Sequence, residues 1–166
     1  MASTVKPIPD GYHTATPYLI VSGAAKALEF YKKAFGATEL FRMPQPDGRI
    51  GHAEIQIGNS RIMLADEHHE IGAKSPQTIG GSAVSILLYV EDVDRVFNQA
   101  VAAGAKVVRP LENQFYGDRM GASPTLLDTL GTSPRTLRTF PPKNCRSALR
   151  PSTAKSKTVR RQRSPA

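Results

Sequence analysis

The chain has 166 residues and a formal net charge of +8, which is unevenly placed. Residues 1–121 contain 12 Lys and Arg against 13 Asp and Glu, whereas residues 122–166 contain 10 Lys and Arg against one acidic residue, Asp128. This length predicts one domain, and no apolar run approaches the ~18 residues of a membrane span. The N-terminus lacks the apolar core of a signal peptide, and the single cysteine, Cys145, excludes an internal disulfide, so we expect a cytoplasmic protein.

Residues 16–37 predict a strand, a turn and an amphipathic helix. Residues 18–21 are a short β-prone run, Ser22 can cap a helix, and Gly36 can end it in the left-handed conformation. Six apolar residues at helical spacing predict the buried face of this helix: Ala24, Ala27, Leu28, Tyr31, Ala34 and Phe35.

Three further strands follow the first helix. We predict them at residues 37–43, 49–57 and 60–65, because a Pro-Asp-Gly turn and a Gly-Asn turn separate them. Alternation in the middle strand places His52 and Glu54 on one face. Residues 66–82 are rich in glycine and polar side chains and predict a loop.

The pattern of the first half recurs after 68 to 69 residues. Residues 85–90 predict a strand, Asp92 can cap the next helix, and Gly104 ends it as Gly36 ended the first. Residues 106–111 predict a further strand, and residues 112–121 begin another. The recurrence indicates a duplicated β-α-β-β-β module and therefore an α+β fold.

Several short motifs, in this order and spacing, resemble the vicinal-oxygen-chelate superfamily, also called the glyoxalase/bleomycin resistance protein/dioxygenase family. The similarity is greatest to its PhnB-like branch and covers residues 12–121. The motifs that carry it are Thr16-Pro17-Tyr18-Leu19, Phe30-Tyr31, Ala34-Phe35-Gly36-Ala37, Gly51-His52-Ala53-Glu54, Met63-Leu64-Ala65-Asp66 and Gln114-Phe115-Tyr116-Gly117-Asp118-Arg119-Met120-Gly121.

The resemblance implies paired βαβββ modules that curl around a pocket, with the second module incomplete in this chain. We expect a flexible arm at residues 1–12, a paired domain at residues 13–121 and a basic, disordered tail at residues 122–166. Within the domain, the expected parts are module one at residues 13–67, a linker at residues 68–82 and module two at residues 83–121.

The tail departs from the family pattern. In the PhnB-like branch, the counterpart of Gly121 is followed, after a short spacer, by Asp-Pro-Phe-Gly-His, which is absent here. A shifted codon consists of the last base of one residue's codon and the first two bases of the next codon. Read in this way, the codons for residues 124–129 can encode those five residues in order. We therefore hypothesise that a frameshift near Ala122 replaced the last two strands. This loss predicts low stability and aggregation; the alternative is a natural basic tail.

The resemblance places the metal-ligand positions of the superfamily on Thr16, on Ser85 and near Met63. None of these side chains is a good ligand for a divalent ion, so we expect no metal and no cofactor. His68 and His69 lie among acidic residues, but a loop without fixed spacing is more typical of an ordinary polar surface.

Five residues are candidates for ligand binding. His52 and Glu54 share a strand face and could bind a polar ligand or act as acid and base, or could be a solvated or structural pair. Gln114, Tyr116 and Arg119 lie where the family's second module meets the pocket. Arg119 could hold an anion, or could pair with Asp118 and fix the loop.

We expect a protein that binds or converts a small organic molecule, forms homodimers as the resemblance implies, and does not enter a membrane. Whether it is an enzyme stays open. Two alternatives remain: a small domain whose basic tail binds nucleic acid, and a metal-dependent lyase. The first alternative would need salt-dependent binding that is lost with residues 122–166.

Overall fold

A computed structural model describes residues 6–123 and the backbone of residues 135–139. Two four-stranded sheets, two long α-helices and one short α-helix form most of the described part. The helices are α1 (Ala24–Phe35), α2 (Pro76–Ile79) and α3 (Val93–Ala102). The strands are β1 (Tyr18–Val21), β2 (Thr38–Pro44), β3 (Ile50–Ile57), β4 (Ser60–Asp66), β5 (Leu87–Tyr89), β6 (Arg109–Asn113), β7 (Arg119–Ser123) and β8 (Arg135–Thr139).

The two sheets repeat one topology. Sheet one has the strand order β1-β4-β3-β2 and sheet two the order β5-β8-β7-β6, so the strand before each helix pairs in parallel with the last strand of its module. The starts of α1 and α3 are 69 residues apart, as the sequence repeat predicts. The α+β fold with paired βαβββ modules is confirmed.

Every strand of sheet two is shorter than its counterpart in sheet one. β5 has three residues where β1 has four, and β6, β7 and β8 have five each where β2, β3 and β4 have seven, eight and seven. The second module is therefore truncated in its strands.

The expectation that the tail supplies no strand is wrong at residues 135–139. There β8 lies between β5 and β7. It pairs with β5 in parallel and with β7 antiparallel, so it uses the hydrogen-bonding edge of each strand. Residues 124–134 and residues 140–166, which include Cys145, lie outside the described part of the chain.

Helix α1 covers one face of sheet one and also contacts α3. Its apolar side packs on side chains of β3 and β4 that are completely buried, such as Ala53, Ile55 and Leu64. Ala100 of α3 joins the same cluster, and the Gln99 side chain donates a hydrogen bond to the Lys33 carbonyl at 2.8 Å. No helix of the described residues covers the opposite face of sheet one, which leaves this face open for the candidate site.

The helix ends follow two different rules. Gly36 ends α1 in the left-handed conformation, with φ of 64°, and the Asp92 side chain accepts a hydrogen bond from the Arg95 amide at the start of α3, both as predicted. Ser22 does not cap α1. Instead Asp66, at the end of β4, accepts hydrogen bonds from the amides of Gly23 and Ala24, each at 2.8 Å.

Candidate functional site

Three strands bring polar and apolar side chains together on the open face of sheet one. In the register of the sheet, Tyr18 of β1 lies beside Met63 of β4, and Met63 lies beside Glu54 of β3. His52, two residues before Glu54, lies beside Met43 of β2. Because side chains alternate along a strand, all of these point away from α1. The predicted placement of His52 and Glu54 on one face is therefore seen in the sheet.

Hydrogen bonds join three of these side chains to one another and to Tyr12 of the N-terminal arm. The Tyr18 hydroxyl lies 3.0 Å from His52 Nδ1, and His52 Nε2 lies 3.2 Å from Glu54 Oε1. The other Glu54 oxygen accepts a hydrogen bond from the Tyr12 hydroxyl. Since an ionised carboxylate only accepts, Nε2 of His52 must carry its proton, and Nδ1 must accept from Tyr18. The arrangement therefore selects one tautomer of His52.

The surroundings change the proton affinities of three groups. The Tyr12 hydroxyl, and to a smaller extent His52, lower the pKa of Glu54. Burial, followed by the hydrogen bond to Glu54, raises the pKa of Tyr12, and burial also raises the pKa of Tyr18. Glu54 is thus held as a carboxylate while both phenols keep their protons at neutral pH.

The N-terminal arm forms one wall of the site. Arg61 of β4 stacks on the Tyr12 ring, with its guanidinium carbon 4.3 Å from the ring centre. Gly11 has φ of 81° and lies so close to Arg61 that a Cβ there would be 2.5 Å from a guanidinium nitrogen. A side chain at this position would displace Arg61, so glycine permits the close approach of the arm.

A cavity of about 480 Å³ lies between the arm and the open face. Proline and other apolar groups form much of its lining, and one carboxylate faces it. The lining residues are Pro7, Ile8, Pro9, Tyr12, His13, Thr14, Thr16, Glu54 and Met63. Its size and mixed lining suit a small organic molecule.

Large apolar side chains continue from this cavity across the open face. Tyr18, Phe41 and Met43 are each about half exposed. The Phe41 ring centre is 6.0 Å from that of His52, and the Tyr18 ring centre is 5.5 Å from it. His52 therefore sits between two aromatic rings, which provides an apolar surface for a flat molecule.

The other three candidate residues lie on the β6–β7 hairpin. Gln114 and Gly117 belong to its turn, and the Tyr116 hydroxyl donates a hydrogen bond to the Met120 sulfur. Among the described residues, no hydrogen bond or ion pair joins this group to His52 or Glu54. The structure thus places the five candidates in two separate groups.

Arg119 pairs with a residue that the sequence did not indicate. Its Nε and one terminal nitrogen each lie 2.7 Å from a carboxylate oxygen of Asp94 in α3. The hypothesis of a pair with Asp118 is wrong, because Asp118 is buried while the Arg119 side chain extends across the hairpin to α3. Asp94 is 25 residues away in the sequence, so no local pattern reveals this contact.

The structure offers little to a metal ion. Among residues 6–123, no group of three or more His, Cys, Asp and Glu side chains could hold one. His69 lies 3.8 Å from Glu67, while the His68 backbone pairs with Ala73. Thr16 and Met63 line the cavity, but a hydroxyl and a thioether are poor ligands for zinc or a similar divalent ion. No described helix is both long and apolar enough to span a membrane.

Sequence reasoning missed Tyr12 and Arg61 as parts of the site. Tyr12 lies 42 residues from Glu54, and the arm that carries it has no periodic pattern. For Tyr18, by contrast, the alternation of side chains along β1 is informative. Tyr18 lies three residues before the buried Val21, so it points to the opposite face of the sheet, which is the face of His52.

Comparison with known proteins gives a consistent result. The family model described as "Glyoxalase/Bleomycin resistance protein/Dioxygenase superfamily" matches residues 12–132. An uncharacterized protein of Mycobacterium bovis is 48% identical over 109 residues, which cover 64% of this chain and 72% of that protein. An uncharacterized protein of Mycobacterium tuberculosis has the same identity, and the match spans 64% of its length, slightly under two thirds.

Solved structures share the fold. TioX from Micromonospora sp. ML1 is similar with a TM-score of 0.58 and 22% identity, over 78% of this chain and 97% of that chain. The PhnB protein from Bacillus cereus is similar with a TM-score of 0.55 and 18% identity, over 77% of this chain and 98% of that chain. At such identities the likeness concerns the fold alone.

Proposed function

Because the chain belongs to the glyoxalase/bleomycin resistance protein/dioxygenase superfamily, we propose that it binds a small organic molecule on the open face of sheet one, beneath the N-terminal arm. The observation that carries this proposal is the cavity of about 480 Å³ into which the Glu54 carboxylate faces. Glu54 supplies a hydrogen-bond acceptor, while Tyr18, Phe41 and Met63 supply apolar contact.

The charge of the site limits the ligand. The lowered pKa of Glu54 keeps a negative charge in the cavity at neutral pH, and this charge favours ligands with N–H or O–H donors over anions. The prolines, Tyr12 and Met63 favour a flat apolar body. We therefore propose a neutral or cationic molecule with an aromatic or similarly flat ring.

We further propose a PhnB-like, metal-independent member that forms homodimers. The order of motifs over residues 12–121 and the structural likeness to the PhnB protein support the branch. The positions of Thr16 and Met63 in the cavity support the absence of a metal. Gln114, Tyr116 and Arg119 contribute to the ligand site only if the hairpin of a second copy reaches the open face.

The experiment is an amide NMR screen of the full chain with a set of small aromatic amines, amides and acids. We expect amines and amides to shift the signals of Tyr12, Tyr18, His52 and Glu54. Glu54→Gln should weaken the binding of amines by about tenfold, since a charge-assisted hydrogen bond is lost. Shifts confined to the β6–β7 hairpin, or equal binding by both proteins, would overturn the placement of the site.

The altered tail is a separate proposal about this chain. We propose that residues from about 122 onward are read in a shifted frame, and that ligand binding is impaired as a result. The departure from the family pattern after Gly121 supports it, together with the shorter strands of sheet two. The coding DNA tests it: restoring one base near codon 122 must give Asp-Pro-Phe-Gly-His. The nucleic-acid alternative has only the charge of residues 122–166 in its favour.

A further inference from the structure

We propose that Tyr18, His52 and Glu54 form a proton relay that removes an acidic C–H or O–H proton from the bound molecule. The Tyr18 hydroxyl is the group that touches the ligand. This inference rests on the proposed function and goes further, because it makes the protein an acid–base catalyst rather than a binding protein alone.

The hydrogen-bond geometry sets the direction of the relay. Glu54 Oε1 accepts the proton of His52 Nε2 at 3.2 Å, so Nδ1 is free to accept from the Tyr18 hydroxyl at 3.0 Å. The hydrogen bond from Tyr12 holds the second Glu54 oxygen and fixes the carboxylate in its plane. This arrangement prepares His52 to receive a proton at Nδ1 next to a negative charge.

Exposure decides which group meets the ligand. Tyr18 is 49% exposed, whereas the His52 side chain is 21% exposed and lies behind it. The Tyr18 hydroxyl donates its proton to His52, so its oxygen keeps lone pairs that can accept a proton from a ligand. A ligand on the open face therefore reaches the phenol oxygen before it reaches the imidazole.

The reaction consists of two proton transfers and needs no further reactant. The ligand's C–H or O–H bond breaks, its proton goes to the Tyr18 oxygen, and the proton of Tyr18 goes to His52 Nδ1. The bonding electrons stay on the ligand, and the new imidazolium lies beside the Glu54 carboxylate. Since burial raises the pKa of Tyr18, a lasting phenolate is unfavourable, and both transfers occur together.

The groups that face His52 favour one kind of substrate. From β2 it meets Phe41 and Met43, from β1 Tyr18, and from its own strand Glu54. Tyr12 of the arm binds the second Glu54 oxygen, Arg61 of β4 stacks on Tyr12, and His13 lines the same cavity as Glu54. The substrate class is a flat apolar molecule whose acidic proton lies next to an electron-withdrawing group.

The probe is 5-nitrobenzisoxazole, which fits this class. Removal of its C–H proton breaks the ring N–O bond and forms a coloured cyanonitrophenolate, with no other reactant. With the full chain we expect saturable turnover. Tyr18→Phe and His52→Gln should each lower kcat by about 100-fold with KM nearly unchanged, which is the size of general base catalysis. The matched control Tyr89→Phe changes an exposed tyrosine of β5 and should leave both constants unchanged.

Two results would overturn the relay: a wild-type kcat no higher than that of His52→Gln, or full kcat in Tyr18→Phe. Saturable binding with equal kcat in all variants would reject the relay and leave the proposed binding function standing. A wild-type protein that does not bind the probe would count against the proposed pocket. The ¹⁵N spectrum of His52 then decides about the relay, which requires the Nε2–H tautomer and is rejected by the Nδ1–H tautomer.

Discussion

Arg119 of β7 and Asp94 of α3 form a two-bond ion pair, with both nitrogen–oxygen distances at 2.7 Å. The pair ties the hairpin strand to the helix that it packs beside. It also occupies the guanidinium that could otherwise hold an anion. Asp94 has its pKa lowered by Arg119, so the carboxylate is charged throughout the neutral range.

Replacing Asp94 by Asn should lower the melting temperature only slightly, because both side chains are substantially exposed. The lowered pKa means that the pair stabilises the fold above the ordinary carboxyl value of 3.8, and that this contribution disappears as the pH falls through the folded-state pKa. Thermal melts at low and high salt test this prediction. If the decrease in melting temperature is as large at high salt as at low salt, the role of Asp94 is not electrostatic.

Replacing Asp66 by Ala should destabilise the protein by about 2 kcal/mol, a typical loss for a charged helix cap with several backbone donors. One Asp66 oxygen accepts from the amides of Gly23 and Ala24, and the other accepts from the amide of Ile50 at 2.7 Å. Asp66→Asn keeps one acceptor oxygen and is the matched control, with a smaller expected loss. Urea denaturation measures both variants, and equal stability of Asp66→Ala and wild type would contradict the capping role.

Replacing Gly121 by Ala should destabilise the second module by about 1–3 kcal/mol, the usual range for overpacking. A Cβ at Gly121 would lie 2.8 Å from the Phe97 ring and 3.0 Å from the Leu111 side chain. Gly48→Ala is the control: it has open space around its Cβ position, and its cost comes only from φ of 84°. If unfolding curves show no difference between Gly121→Ala and wild type, the Phe97 ring must move freely aside.

The sequence predicted local features well and distant contacts poorly. β1 is found at Tyr18–Val21, as predicted, and α1 follows its apolar spacing, because both depend on patterns within a few residues. β6 was expected at residues 106–111 and is found at Arg109–Asn113, since the weak pattern there does not fix the register.

The same distinction applies to the candidate site. Alternation along β3 was enough to put His52 and Glu54 on one face. Tyr12, Arg61 and the pairing of Arg119 with Asp94 depend on how separate segments pack, which a single sequence does not encode in a readable pattern. The roles of all five predicted site residues therefore remain predictions.

Replacing Tyr12 by Phe should raise the pKa of Glu54 toward its ordinary value of 4.5, because the Tyr12 hydroxyl is the largest cause that lowers it. A carboxyl whose folded pKa is lowered stabilises the fold above its unfolded pKa, and this contribution is lost as the pH falls through the folded pKa. The variant should thus show less acid-dependent destabilisation. A ¹³C NMR titration of Glu54 measures the shift, and Tyr89→Phe provides the control. An unchanged pKa would show that Tyr12 is not its partner.

Hydrogen exchange should show two levels of protection in this chain. Among the described residues, the buried cluster around α1 contains fifteen residues, whereas that of the second module contains Val93, Val96 and Phe97. Amides of β3 and β4 should therefore exchange more slowly than those of β6 and β7 by several orders of magnitude.

Part of helix α3 should be better protected from hydrogen exchange than strands β6 and β7, which follow it in the chain. Because Ala100 packs into the cluster around α1, part of α3 should keep its protection when β6 and β7 open. Exchange measured by mass spectrometry on peptides from each strand and from α3 tests this order. Uniform protection across both sheets would mean that residues beyond the described part stabilise the second module, and that the chain unfolds as one unit.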